Sequence, residues 1–235
     1  AGKKGKGERV MKKIGGITIG QSPRVDVTPD ILPIFGSEVE LIEAGALDGL
    51  TKEEIAQMKP QKEDYVLVSR LNDGTYAKFG ESFILKRLQR CIDKLEAEGA
   101  ELIMFFCGGT FPDVFKAHVP LIYPSGLLNG VAKGLSPRSK IILITPDKDQ
   151  IQQAYEQWGS IVKTLHPVAA NPYGDIQEVI DAANAVKDID ADLVVMDCIG
   201  YTERSKKLVK EITGKPVIMC RTLLARVVCE MLDIS

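Results

Sequence analysis

Two cysteines carry the chemistry of this sequence. Cys107 ends the apolar run Leu102-Ile103-Met104-Phe105-Phe106 and is followed by Gly108-Gly109-Thr110; Cys198 ends Leu193-Val194-Val195-Met196-Asp197 and is followed by Ile199-Gly200-Tyr201-Thr202. The two stretches align without a gap from Ala100 to Gly109 and from Ala191 to Gly200, with alanine, acid, leucine, cysteine and glycine in matching places. A thiol at the carboxyl end of a buried strand, facing the start of the next segment, stands where open α/β sheets bind ligands. Two such thiols across one cleft suit proton exchange at a carbon next to a carboxylate. One thiolate removes the proton from one face while the other thiol returns a proton to the opposite face, and no cofactor is needed. Backbone N–H groups of the glycine turns and helix N-termini are expected to stabilise charge on the carboxylate and to lower the thiol pKa. Cys220, just past the last expected strand, is a third candidate by the same rule; Cys91 and Cys229 fall on apolar helical faces and read as core.

The elements that must position these thiols follow from the hydrophobic periodicity. Strands are expected over 14–19, 38–43, 121–123, 140–145, 161–165 and 216–219, besides the two that end in cysteine. Helices are expected over 52–58, 81–98, 127–135, 148–158, 175–186, 203–212 and 222–232, with Gly214 as a stop signal. The segments 65–70 and 75–79 flank Asn72-Asp73-Gly74, a strong hairpin signal. His166 and Pro167 are expected in a loop. Alternation of strand and helix over this length means parallel sheets covered on both faces. The fold class is therefore α/β, with two pseudosymmetric, parallel-sheet, Rossmann-like half-domains and the active-site cleft between them.

Composition narrows the partners. The 235 residues carry 30 Lys and Arg against 32 Asp and Glu, a formal charge of −2, and no basic stripe of the kind that neutralises phosphates, so no nucleic acid is expected. No apolar run has the length of a membrane span, no signal peptide is read, and a cytoplasmic location with no membrane partner is expected. Five cysteines without C-x-x-C spacing, and only His118 and His166 as imidazoles, point to reduced thiols and no metal site. Residues 1–10 read as a flexible arm or the remnant of an added segment.

Near the start, Ile17-Thr18-Ile19-Gly20-Gln21-Ser22-Pro23-Arg24 ends the first strand in a turn, where Arg24 is read as either a surface charge or an anion-binding side chain. Together with Met196-Asp197-Cys198-Ile199-Gly200-Tyr201, this stretch resembles the AroM family, and the resemblance spans almost everything after Met11. AroM proteins are similar to the aspartate/glutamate/hydantoin racemase superfamily, in which each of two α/β domains gives one catalytic cysteine and no cofactor is used. The resemblance implies Cys107 and Cys198 as the catalytic pair. It also implies Gly108, Gly109 and Thr110 as holders of the substrate carboxylate after the first cysteine, and Tyr201 and Thr202 after the second. Ser22 would orient the substrate, with Arg24 as a further binding candidate, and Thr145-Pro146 matches the turn that opens the second domain. The superfamily's Asp-Ser pair is Gln21-Ser22 here.

The C-terminal strand and helix are expected to pack back, giving a first domain of 11–118 plus 215–235 and a second of 119–214. A small-molecule carboxylate is the expected ligand and a homodimer the expected assembly. The expected activity is cofactor-independent racemisation or isomerisation of a small carboxylic acid. The alternatives are a non-catalytic binding protein for an aromatic or other anionic metabolite, and a lyase or isomerase in which a single cysteine reacts. Glu203 is read as a helix cap in preference to a proton-transfer group.

Overall fold

The computed structural model describes residues 11–135 and 139–234; the expected arm over 1–10 lies outside them. The first sheet runs β2 (Val39–Gly45), β1 (Lys12–Thr18), β5 (Leu102–Phe106), β6 (Leu121–Ile122). The second runs β10 (Val217–Met219), β9 (Leu193–Met196), β7 (Lys140–Thr145), β8 (Thr164–Ala169). Every pairing in both sheets is parallel. Taken from its other edge, the second sheet repeats the first: β8 takes the place of β2, β7 of β1, β9 of β5 and β10 of β6. The cysteine-bearing strands β5 and β9 thus hold equivalent interior positions, and their residues are all buried.

Helices cover both faces. They are α1 (Thr28–Phe35), α2 (Lys52–Ala56), α3 (Leu85–Ala97), α4 (Pro124–Leu135), α5 (Ile151–Trp158), α6 (Ile176–Val186), α7 (Glu203–Thr213) and α8 (Cys220–Leu232). A core shared by the two halves joins Val27, Ile31 and Phe35 of the α1 region, Leu128 and Ala132 of α4, and Leu224, Ala225 and Val228 of α8 to the inner faces of both sheets. Ile17, Phe79, Leu88, Ile92 and Phe105 belong to a second core, in the first half, and Ile142, Val179, Val194, Met196 and Val209 to a third, in the second half.

Three expectations are corrected. The domain boundaries placed 119–214 in the second domain and returned the last strand to the first. In the structure β6 closes the first sheet and β10 pairs with β9 in the second; only α8 crosses, packing on α1 and α4. Strands of two and three residues carry no signal of which sheet they join, since pairing is a long-range property. The strand expected at 161–165 runs instead from Thr164 to Ala169 and takes in His166 and Pro167. Pro167 is tolerated there because β8 is an edge strand, where a missing N–H breaks no ladder bond. Helix α1 has no counterpart in the sequence expectations, because Pro29 and Pro33 interrupt the pattern; Pro29 sits in the first turn, where its N–H is not needed.

The hairpin forms as expected, from β3 (Val66–Arg70) and β4 (Tyr76–Gly80), with Gly74 at φ 88° in the turn. It leaves the first half and leans on the second. Gln153 accepts from Val66 N–H at 2.7 Å, Gln150 Nε2 donates to the Val66 carbonyl at 2.9 Å, and Lys78 pairs with Asp147 at 2.9 Å and Asp149 at 2.7 Å.

Candidate active site

Both cysteines line one cavity at the carboxyl ends of β5 and β9. Its walls include Cys107, Gly108 and Gly109 from the first half, Thr145, Asp197 and Cys198 from the second, Tyr65 and Leu67 of the hairpin side, and Gln150 and Gln157 of the α5 side. The space between them holds about 30 Å³, enough for a water or two.

The duplication read in the sequence is repeated in the hydrogen bonds. Gly109 N–H donates to Cys107 Sγ at 3.3 Å and Gly200 N–H donates to Cys198 Sγ at 3.4 Å, each from two residues downstream. Such bonds favour a thiolate. Burial works the other way and prevails: Cys107 is 7% and Cys198 6% exposed, and burial pushes their thiols up to about 12 and about 11. The expectation that local dipoles bring the thiols down toward neutral pH is thereby corrected. The N–H bonds act in the expected direction, but they are smaller than the desolvation of sulfur between two packed half-domains.

The two thiols are not equivalent. Tyr173 Oη lies 3.8 Å from Cys198 Sγ, and Arg24 Nη2 donates to the same Oη at 3.3 Å. A guanidinium has no acceptor, so the phenol keeps its own proton free for the sulfur. Arg24 is 2% exposed, bonds Asp26 through Nε at 2.9 Å and Nη2 at 2.8 Å, and also donates to Thr18. Tyr173 is in turn packed so tightly on the turn that a Cβ at residue 200 would meet its ring at 2.6 Å, which explains the glycine.

Asp197 is the group that sequence reasoning passed over. The residue is half-buried and lines the cavity, while its Oδ1 is out of solvent with no hydrogen-bond partner. Burial pushes its carboxyl up to about 8, against a lowering contact with Thr145. The signal was present in the alignment: Asp197 stands opposite Phe106, where the duplication fails to repeat an apolar residue. Tyr65, Gln150, Gln157 and Tyr173 were also missed; they reach the site from distant segments with no local motif.

Of the residues expected to bind substrate, Gly108, Gly109 and Thr145 line the cavity with the cysteines. The others do not. Thr110 is exposed. Ser22 gives its N–H and hydroxyl to Asp48, at 2.7 and 2.6 Å. Arg24 stands behind Tyr173. Tyr201 is fully buried and donates to the Ala170 carbonyl at 2.6 Å. Thr202 caps α7, accepting from Ser205 N–H at 3.2 Å, and Glu203 opens that helix. Cys220 is buried at the start of α8, in the core shared by the halves. Among the described residues no group of three or more His, Cys, Asp or Glu is placed to hold a metal ion, and no helix is long and apolar enough to cross a membrane.

The family model described as "AroM protein" matches residues 14–232. No curated protein sequence matches the chain. Among solved structures it is similar to the maleate isomerase Iso from Pseudomonas putida S16, at 13% identity and a TM-score of 0.64, covering 95% of this chain and 94% of that one. The aspartate racemase of Picrophilus torridus is 13% identical with a TM-score of 0.62, covering 95% of each chain. An allantoin racemase from Klebsiella pneumoniae is 14% identical with a TM-score of 0.63, covering 94% of this chain and 88% of that one. The two-sheet α/β fold is the racemase-type fold of these proteins.

Proposed function

The chain belongs to the AroM family, and on that premise we propose that it is a cofactor-independent racemase or isomerase acting on a small carboxylic acid between Cys107 and Cys198. The observation that carries this reading is the pair of equivalent Gly N–H to Sγ bonds, which sets both sulfurs into one cavity from pseudosymmetric strands.

In the reaction proposed, one sulfur enters as thiolate and takes the α-proton, while the C–H electron pair moves into the carboxylate system. The S–H proton of the other cysteine is then delivered to the opposite face of the carbon. The proton count of the pair is unchanged and its single negative charge has moved from one sulfur to the other. A thiolate held in a site that disfavours it is a correspondingly stronger base, which suits a weakly acidic C–H. The backbone N–H of Gly108, the amide of Gln157 and the second Nε2 hydrogen of Gln150, whose first goes to the Val66 carbonyl, are the donors available to the developing charge. The hairpin side, through Tyr65 and Leu67, forms one wall of the space that substrate enters.

A second reading, isomerisation or bond cleavage through one reacting thiol, is favoured by the asymmetry at Cys198, which alone receives the Tyr173 hydroxyl. Incubation in D₂O with a panel of amino, hydroxy and aromatic acids, followed by proton NMR, separates these readings. Loss of the α-proton signal that needs both thiols supports the two-base scheme. Turnover that survives Cys107→Ser but not Cys198→Ser supports the single-thiol reading. Saturable binding without exchange or turnover supports a binding protein and overturns both.

A further inference from the structure

The cavity is lined by a carboxyl group, one of whose oxygens has no partner, and by no cation among the described residues. Its lining has no Lys, Arg or His among the described residues. The Arg24 guanidinium is behind Tyr173, its hydrogen bonds taken by Asp26, Thr18 and the phenol, and it reaches the cavity thiols only as a distant charge. Asp197 lines this cavity as a half-buried residue, and its Oδ1, out of solvent, has no partner. Its titratable neighbours are Tyr65 from the hairpin, Cys107 from β5, Cys198 of its own turn, Tyr201 before α7 and Cys220 of α8, every one held in its neutral form at neutral pH by burial. An ionised carboxylate with a desolvated, unbonded oxygen and no facing counter-charge is disfavoured against its protonated form, as any unpaired buried ion is. The protonated form has a proton to give and, in the free protein, nobody to give Oδ1 to.

We propose that Asp197 binds the substrate as an un-ionised carboxyl group, donating a hydrogen bond to the substrate's carboxylate, and that the site thereby selects acids with one carboxylate over dicarboxylates. This rests on the carboxylic-acid reading of the cleft. A neutral acid paired with a carboxylate is a short, charge-assisted bond that needs no lining cation. The same bond strengthens as negative charge grows on the substrate oxygen during proton removal. One substrate charge is accommodated in this way. A second carboxylate on the same molecule would enter a cavity that has amide and phenol donors but no positive charge, and its desolvation would go uncompensated. The maleate and aspartate named for two proteins of the same fold each carry two carboxylates; the Asp197 site separates this chain from them by charge count.

The test measures dissociation constants by saturation-transfer NMR for propionate, lactate and phenylacetate against succinate and maleate, from pH 6 to pH 9.5. The monocarboxylates are ionised and the cavity thiols protonated across that range, so Asp197 is the lining group that changes charge; succinate and maleate, whose first charge raises their second carboxyl, hold both charges only from about pH 7.5 upward, and they are compared there. With Asp197 at about 8, monocarboxylate binding is expected to be flat below pH 7.5 and to weaken toward tenfold per pH unit above it. Succinate and maleate are expected to bind at least tenfold more weakly than the monocarboxylates from about pH 7.5 upward. Asp197→Asn keeps a donor and removes the titration. It should bind within about threefold of wild type at pH 6 and show no weakening by pH 9.5. Asp197→Ala should bind weakly throughout.

The wild-type profile alone decides the matter if a variant misfolds. Absence of saturable monocarboxylate binding at pH 6, equal binding of succinate, or a pH dependence retained by Asp197→Asn would each overturn the proposal. Failure of the reaction reading is seen separately, as pH-dependent monocarboxylate binding without α-proton exchange.

Discussion

Gly108 and Asp197 touch across the junction of the two half-domains: a Cβ on Gly108 would overlap the carbonyl oxygen of Asp197. The turn after the first thiol and the residue before the second are thus in backbone contact. Gly108→Ala must push the halves apart. It is expected to lower stability by about 3 kcal/mol, at the upper end of overpacking costs, and to abolish exchange in the refolded protein. Thermal unfolding and D₂O exchange measured on the same sample check both effects.

Cys107→Ser and Cys198→Ser are each expected to remove two-base exchange, whereas Cys220→Ala should keep the wild-type rate. Cys220 is fully buried in the shared core, and the substitution should cost only about 1 kcal/mol of stability for the lost sulfur. A Cys220→Ala protein that folds normally but exchanges no substrate would contradict the placement of the site.

Tyr173→Phe deletes the hydroxyl that reaches Cys198 Sγ but keeps the ring against Gly200 and Tyr76. Without that donor the Cys198 thiolate is less stable. Alkylation of Cys198 by iodoacetamide, followed by mass spectrometry, should shift to higher pH in the variant, while the Cys107 profile stays where it was. Equal shifts at both cysteines would mean a general disturbance of the cavity.

Arg24→Met removes the guanidinium that Asp26 and Tyr173 share. Breaking a buried pair while leaving its acid in place costs about 3 kcal/mol, so the variant should unfold at distinctly lower urea concentration. Arg24 holds the Asp26 carboxyl below the ordinary carboxylate range, against the opposing effect of burial. The stability this gives is present above about pH 4, the unfolded value, and is lost as pH falls through the folded one. The gap between wild type and Arg24→Met should therefore narrow in acid.

Glu81 reports on pH from the opposite side. Its Oε1 is buried without a partner, and burial, followed by repulsion from Asp64, pushes the carboxyl from its ordinary 4.5 up to about 7. A folded value above the unfolded one means that stability falls as pH rises through the interval between them. Glu81→Gln should match wild type at pH 5 and exceed it at pH 8, by on the order of 1 kcal/mol once partial solvent screening is allowed for. Melting temperatures at the two pH values check the sign.

The sequence by itself determined the strands that carry the thiols, because a run such as Leu102 to Phe106 that is apolar at every position can be satisfied only by burial on both faces. It also determined the duplication, since the matching of Ala100–Gly109 with Ala191–Gly200 is a local property that survives without coordinates, and the glycine hydrogen bonds to both sulfurs follow from that local turn. The hairpin was legible for the same reason, through Asn72-Asp73-Gly74. Tertiary structure alone decided which sheet receives β6 and β10, because pairing is chosen by partners far away in the chain. It removed Ser22, Thr110, Tyr201 and Thr202 from the cavity by giving them other neighbours or other directions, and it brought in Tyr65, Gln150 and Gln157. It also set the protonation of the site. Whether Asp197 and the thiols are charged depends on how much water the packed half-domains exclude and on the absence of a facing cation, and no residue spacing encodes either.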